Sequence, residues 1–311
     1  MVCGGWGFFG HRHINGLAIH MLPAEMGVFY KRHSAYLRDA SVQPDRRRYA
    51  VAGEAECHFI DLDRYPPAMV DSLSETGWEE VVAWVGEDSI RAHGILPWNL
   101  VRVYRSLRFA FLNRDAARVL RLSAELGHYA GDAHVPLHAT ANYDGQLTGQ
   151  QGLHGLWESR LPEIHFEEYD FLLGPARFEP DVPGRIWEVV RQSQSMVDSV
   201  LMLERKLFRA QAPRKFAFES KGAQTVRVVS VRYAREYHRM LNGMVERRLR
   251  ASVRLVADLW YSAWLEAGQP DLKDWRPEES TDESSELNRR EWKEWAGKYL
   301  QRVRPHDADT I

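Results

Sequence analysis

Two short stretches of this chain concentrate side chains that bind divalent ions. "HYAGDAHVPLH" supplies His128, Asp132 and His138, and "LHGLWE" supplies His154 and Glu158. Helix positions four apart share one face at a separation of about 6 Å. His128 with Asp132, and His154 with Glu158, therefore each aim two ligand groups in one direction. His138 follows Pro136, which ends the first helix and turns the chain back toward the same place. Two imidazoles and a carboxylate with one position left open form the donor set of a hydrolytic zinc ion. The ligands present are enough for more than one ion.

A lone H-x3-D pair carries little weight, because most such pairs are surface ion pairs or satisfied core histidines. Two pairs and a third imidazole after a helix-ending proline carry more. Residues far upstream add to the set. In "WGFFGH" Trp6 stands five residues before His11, and in "PDRRRYAVAGEAECHFIDLD" Asp45 stands thirteen before His58.

The elements that must position these groups read as helices. The 311 residues are 44% hydrophobic and 27% charged, enough to bury a large core. Helical periodicity runs through "HINGLAIHML", "EMGVFYKRHSAYL", "EEVVAWVGEDSI", "NLVRVYRSLRFAFL" and "DAARVLRLSAELGHYAGDAH". Asn113 or Asp115 is placed to cap the last of these. "IWEVVRQSQSMVDSVLMLERKLF" reads as one long helix, and the segment from Val231 to Gly268 as another that breaks near Asn242–Gly243. "QTVRVVSVRY" is the one strand-like stretch and is read as the start of a helix. The expected fold is all-α: a single multi-helix domain over 6–268, with few or no strands and a metal cluster in a cleft.

Residues 1–5 read as the remnant of a leader or as a tail, and 269–311 as a polar C-terminal tail. Within that tail, 276–286 read as a linker and 287–303 as a short amphipathic helix that docks through Trp292, Trp295 and Tyr299. Net charge is −2, so no global basic field points to duplex DNA. Cys3 and Cys57 are the only cysteines and make no disulfide framework. No apolar run approaches the ~20 residues of a transmembrane helix.

Taken together, the motifs W-G-x3-H, P-D-x2-R, H-F-I-D-x-D, H-Y-x-G-D-x-H-x-P-L-H and L-H-x2-W-E resemble those of the zinc-dependent phospholipase C and single-strand-specific zinc nuclease superfamily. That superfamily includes the fungal and plant nucleases. The resemblance covers residues 6–162 by motif. It implies a helical protein with three zinc ions in a cleft. One ion would be held by Asp45, His58, His128 and Asp132, and a second by His138, His154 and Glu158. A third would be held by His11, Asp132 and the amino and carbonyl groups of Trp6. Trp6 can offer an amino group only if residues 1–5 are removed; otherwise two ions are expected. This requirement makes a secreted or periplasmic location the expectation, with a cytoplasmic one as the alternative, because residues 1–5 carry no signal-peptide pattern of their own.

The implied activity is hydrolysis of a phosphodiester by a hydroxide bridging two zinc ions, with Asp45, Arg48 and Asp132 as catalytic residues. Arg48 would contact the phosphate. Phe59 and Asp61 match positions that hold a base, and Asn142 and Tyr143 would line the cleft. Arg48 and "HFIDLD" resemble the nuclease branch, so single-stranded nucleic acid is the first substrate expected. "QGLHGLWE", ending in Glu158, resembles the phospholipase branch, which makes a phospholipid head group the alternative. A non-catalytic, zinc-stabilised helical scaffold is the third reading. No protein partner is expected.

Overall fold

Apolar periodicity sets where this chain is helical, and glycines at positive φ mark some of the breaks, as at Gly86 and Gly243. The computed structural model describes residues 6–73, 76–222 and 224–277, and these are predominantly α-helical. Helices α1 (Gly7–Ala18), α2 (Ala24–Arg32), α3 (Ser34–Ala40) and α4 (Gln43–Arg47) open the chain. Two 3-10 turns, Ala55–His58 and Leu62–Arg64, precede α5 (Pro67–Leu73), α6 (Trp78–Val85) and α7 (Glu87–Ala92). The long pair α8 (Leu96–Leu112) and α9 (Ala116–Ala133) follows. After a 3-10 turn at Pro136–Ala139, α10 (Leu153–Gly155) runs through a π turn, Leu156–Arg160, into α11 (Leu161–His165). Helices α12 (Val182–Ser195) and α13 (Val197–Gln211) lead to a hairpin of β1 (Phe216–Lys221) and β2 (Gln224–Val229). Helices α14 (Val231–Met240) and α15 (Met244–Glu266) complete the order.

Helix α9 is the centre of the packing. Nearly all of its residues are buried, including Ser123, Glu125, His128 and Asp132. It packs against α1, α3, α8 and α15. Asp115 is the residue that caps it, accepting from the Arg118 amide at 2.9 Å. The other end is held by a buried cation. Arg248 of α15 donates to the His134 carbonyl at 2.8 Å, to the Val189 carbonyl at 3.1 Å and to Ser193 Oγ at 2.5 Å. A guanidinium at a helix C-terminus meets carbonyls left over by the last turn and the negative end of the dipole. Burial lowers the Arg248 pKa to about 10.

Close approach of α1 to α9 depends on two small residues. A Cβ on Gly127 would lie 1.7 Å from Asn15 Oδ1, and one on Gly131 would lie 3.1 Å from both the His11 and Trp6 rings. Asn15 uses the space to bridge elements, donating to the Leu37 carbonyl at 3.1 Å and to the Ala124 carbonyl at 3.2 Å. Trp6, Trp157 and Trp260 are fully buried around this contact, and side chains of that size bury about 150–250 Å² each.

The structure differs from the sequence reading at several places. Residues 224–229 form a strand, not a helix start. Val226, Val228 and Val229 suit a pleated surface, and "FAFESK" supplies a partner, with Phe216 opposite Val229 and Phe218 opposite Arg227. The helix begins only at Ser230, whose hydroxyl accepts from the Tyr233 amide. "EEVVAWVGEDSI" is split at Gly86, whose φ of +84° no helix accommodates. "EMGVFYKRHSAYL" is split at His33, and "IWEVVRQSQSMVDSVLMLERKLF" at Met196, where Ser195 turns its hydroxyl back to the Gln192 carbonyl. The expected break at Asn242–Gly243 is present, with φ of +48° and +72°. The leader, linker and Trp292–Tyr299 helix readings lie outside the described residues, apart from residues 276 and 277 at the start of the linker. No described helix is long and apolar enough to cross a membrane.

Candidate metal centre

The first donor cluster forms where α9 passes α1, the end of α4 and the 3-10 turn at Ala55–His58. His128 and Asp132 sit one turn apart on α9, with His128 Nε2 3.2 Å from Asp132 Oδ2. His58 Nδ1 lies 2.9 Å from the same oxygen and 3.0 Å from His128 Nε2. Asp45 Oδ1 stands 3.7 Å from His128 Nε2 and 3.8 Å from His58 Nδ1. On the other side of the carboxylate, His11 Nε2 approaches Asp132 Oδ1 at 3.3 Å, and the His11 ring stacks on His128 at 4.0 Å between centroids. One carboxylate thus faces imidazoles on both of its oxygens. All five side chains are buried.

The second cluster is built from turns. His154 and Glu158 lie one turn apart, with Nε2 to Oε2 at 2.8 Å, and His138 Nε2 is 3.4 Å from the same Glu158 oxygen. The His138 and His154 rings are 4.9 Å apart. Backbone joins the clusters: the Ile60 amide donates to the His138 carbonyl at 2.9 Å, and His138 Nδ1 donates to the His58 carbonyl at 2.5 Å.

In three of the imidazoles a carbonyl fixes the tautomer. Nδ1 of His128 donates to Ser41, that of His138 to His58, and that of His154 to Tyr143. A carbonyl can only accept, so in neutral rings the Nε2 lone pair is left facing the cluster, as a metal ligand requires. His58 is oriented differently: its Nε2 faces the Glu54 carboxylate at 3.4 Å. Glu54 is buried and ion-paired with Arg47 at 2.7 Å. Arg47 in turn reaches Glu125 at 2.8 Å.

Electrostatics agree with a site that wants a cation. Burial works against charge on His58, but the Asp132 and Glu54 carboxylates outweigh it and push its pKa up to about 9. Burial also opposes ionisation of Asp132, yet the surrounding imidazoles hold it well below the usual carboxylate range. His154 is raised in the same way: burial opposes its charge and Glu158 prevails. His11 is lowered, first by burial and then by His128.

The donor atoms are also short of partners. Both ring nitrogens of His11, both oxygens of Asp45 and of Glu158, Asp132 Oδ1, and Nε2 of His138 and His154 lack a hydrogen bond among the described residues. His154 and Glu158 are close, but they do not meet in hydrogen-bonding geometry. An unsatisfied buried polar atom costs about 1–3 kcal/mol, and so many lone pairs aimed at shared points fit bound divalent ions. The sets His11–His128–Asp132, Asp45–His58–His128 and His138–His154–Glu158 each place their ligand atoms within 4.8 Å of one another. These buried groups could hold metal ions.

The remaining sequence candidates are placed as follows. Trp6 packs its ring on Trp157, and its indole donates to the Gly131 carbonyl at 2.9 Å, beside His11. Its own carbonyl accepts from Gly10 at 3.1 Å as the first bond of α1. Arg48 follows α4, near enough to His58 for its charge to oppose protonation there. Phe59 is 6% exposed, and Asp61 is buried with Oδ2 3.9 Å from His93. Tyr143 borders the second cluster through its carbonyl and its ring, 6.1 Å from His154. Asn142 is spent inside its loop, donating to Thr148 and accepting from the Leu147 amide.

His13, His134 and His165 lie outside all three sets. His13 and His134 turn Nδ1 to a carbonyl four residues back, and His165 turns it to Glu168. Two supporting residues escaped the sequence reading. Glu54 was signalled by its place four residues before His58. Asp144 accepts from the amides of Gly152 and His154 at 2.8 and 3.1 Å and so starts the ligand turn, and only the loop geometry reveals that.

No family model matches this chain, and no curated protein matches it.

Proposed function

We propose that this protein is a metal-dependent hydrolase of phosphodiester bonds, of the phospholipase C and single-strand nuclease type that its motifs resemble. The observation that carries this reading is the convergence of two buried donor clusters whose nitrogen and oxygen atoms face one another, most of them without a hydrogen bond. We assign zinc, which such donors suit. Asp45, His58, His128 and Asp132 would hold one ion, and His138, His154 and Glu158 another. A third at His11 and Asp132 requires the Trp6 donors as well. When bound, such ions acidify water and offset charge on a phosphoryl group.

The chain's own residues supply the rest. Asp132 links His11 with His58 and His128 and fixes their spacing. Asp45 stands ready to accept or direct a proton. The Arg48 guanidinium offers paired N–H donors suited to phosphoryl oxygens. Single-stranded nucleic acid is the first substrate in this reading. A phospholipid is the second, and the burial of Phe59 favours it, because a ring 6% exposed offers no open face for base stacking.

The test pairs metal analysis with assays on single-stranded DNA and on phosphatidylcholine, before and after chelation and with zinc restored. Zinc-dependent cleavage of either ester is expected, and which ester is cleaved separates the two readings. Bound zinc without cleavage of either would leave a structural scaffold and overturn the enzymatic reading.

A further inference from the structure

We propose that the outer face of the β1–β2 hairpin, with the adjoining face of α13, docks on an anionic lipid surface. Strand alternation sends Phe216 and Phe218 outward, 42% and 75% exposed, while Glu219 turns in to an ion pair with Arg160. Phe208 of α13 continues the aromatic face, because Lys215 Nζ lies 5.2 Å from its ring and 5.7 Å from that of Phe216. Along α13 the surface is both apolar and basic. Met202 is 61% exposed, and Arg205, Lys206 and Arg209 are exposed around an open groove of about 830 Å³. Exposed Leu147 adjoins Thr148, which lines the same groove.

Charge decides the occupant. The chain as a whole is net −2, yet Arg205, Lys206 and Arg209 line the groove and Arg227 lies over Phe216 on the hairpin, with Asp198 the carboxylate lining the groove. Glu204 is buried and already bonded to Lys215, Gln150 and Tyr233. Aromatic and aliphatic side chains among basic ones match the boundary between acyl chains and anionic head groups. Single-stranded nucleic acid would also meet basic and aromatic groups here. However, the Arg227 guanidinium, 3.7 Å from the Phe216 centroid, covers one face of that ring, and Met202 and Leu147 offer no stacking plane. The hairpin is tied to the second cluster: Arg160, two residues past Glu158, donates to the Val229 carbonyl at 3.2 Å. Docking needs no metal and stands apart from the hydrolase reading.

The test is co-sedimentation of the full chain, stripped of metal, with vesicles of phosphatidylcholine alone or mixed with phosphatidylglycerol. Binding to the mixed vesicles only, weakened by salt, is expected. Lys206→Glu and Arg209→Glu should each lower it by about fivefold or more, the worth of one basic residue at such a surface. Phe218→Ser should lower it roughly tenfold. Unchanged melting curves would show these variants folded. Equal binding to both vesicle types would overturn the proposal, as would binding indifferent to all three substitutions. A loss confined to binding of a single-stranded oligonucleotide would overturn it too.

Discussion

Asp132→Asn is the substitution that most directly probes the shared centre. The exchange is nearly isosteric, so no cavity follows, and the side chain is fully buried, so no rearrangement at the surface can compensate. One oxygen now faces His11 at 3.3 Å, and the other faces His58 and His128 at 2.9 and 3.2 Å. The amide supplies one acceptor in place of two and turns an N–H₂ toward an imidazole on one side. Both donor sets around α9 lose their common anion, while His138, His154 and Glu158 keep theirs. Saturating an ion at 100 times its Kd stabilises a protein by about 2.7 kcal/mol. For a chain of this size that is roughly 4 °C in Tm. Zinc should therefore raise the wild-type Tm by at least that amount, and the variant should lose the part contributed by the α9 sets. Metal analysis after gel filtration should find the ion at the second cluster retained. His165→Ala serves as the control: that ring stacks on His238 at 3.8 Å, outside the clusters, so metal content and activity should stay at wild-type level. Full ion content in Asp132→Asn, or equal loss in His165→Ala, would refute the ligand assignment.

Three further outcomes are expected. Glu54→Gln removes the carboxylate facing His58 and should weaken metal binding at the first cluster by about 10–100-fold, read by chelator competition, with the second cluster unchanged. Gly127→Ala forces a methyl against Asn15 and should destabilise the fold by about 1–3 kcal/mol in a urea melt; a loss under about 0.5 kcal/mol would contradict the close helix approach. Asp258 has its pKa raised to about 6, chiefly by burial, against the Arg177 amide that hydrogen-bonds to it. The folded state therefore holds a proton that the unfolded state releases near pH 4, so this contribution is full below that value and is lost as pH rises through 6. Asp258→Asn should flatten that loss and be the more stable protein at pH 7.5, though not at pH 4; parallel stability curves would refute the burial argument.

What the sequence disclosed follows from the range over which each constraint acts. The pairs at four-residue spacing were legible because a helix imposes their geometry locally, and Pro136 announced the turn that returns His138. The all-α class was legible because helical periodicity fills most of the chain. The strand at 224–229 was not, because its partner Phe216–Lys221 looks polar and mixed when read alone. A hairpin is a property of two segments. The splits at His33 and Met196 were hidden for a related reason: no proline or glycine marks them, and packing between neighbouring helices sets the bend. Glu54 lay in plain view four residues ahead of His58, but its meaning depends on Arg47 and Tyr129 arriving from elsewhere.

The two clusters are held by different kinds of force, and this has a consequence for how they would fill. Around Asp132 the donors are fixed by helix packing, with Gly127 and Gly131 allowing α1 to press on α9 and Arg248 fastening the end of α9. To move His11 or His128 is to unpack the core. Around Glu158 the donors depend on hydrogen bonds within 139–153, where Asp144 starts the ligand turn and the Tyr143 carbonyl orients His154. That loop is in turn held to α13 by Gln150, which donates to Glu204 at 2.7 Å and to the Leu201 carbonyl at 2.9 Å. Local openings draw on loops before they reach packed cores. The second cluster is thus the one whose geometry can yield at little cost. Ion binding at the second cluster would also have to hold that turn in place, whereas the first cluster would meet an ion with its donors already fixed by packing.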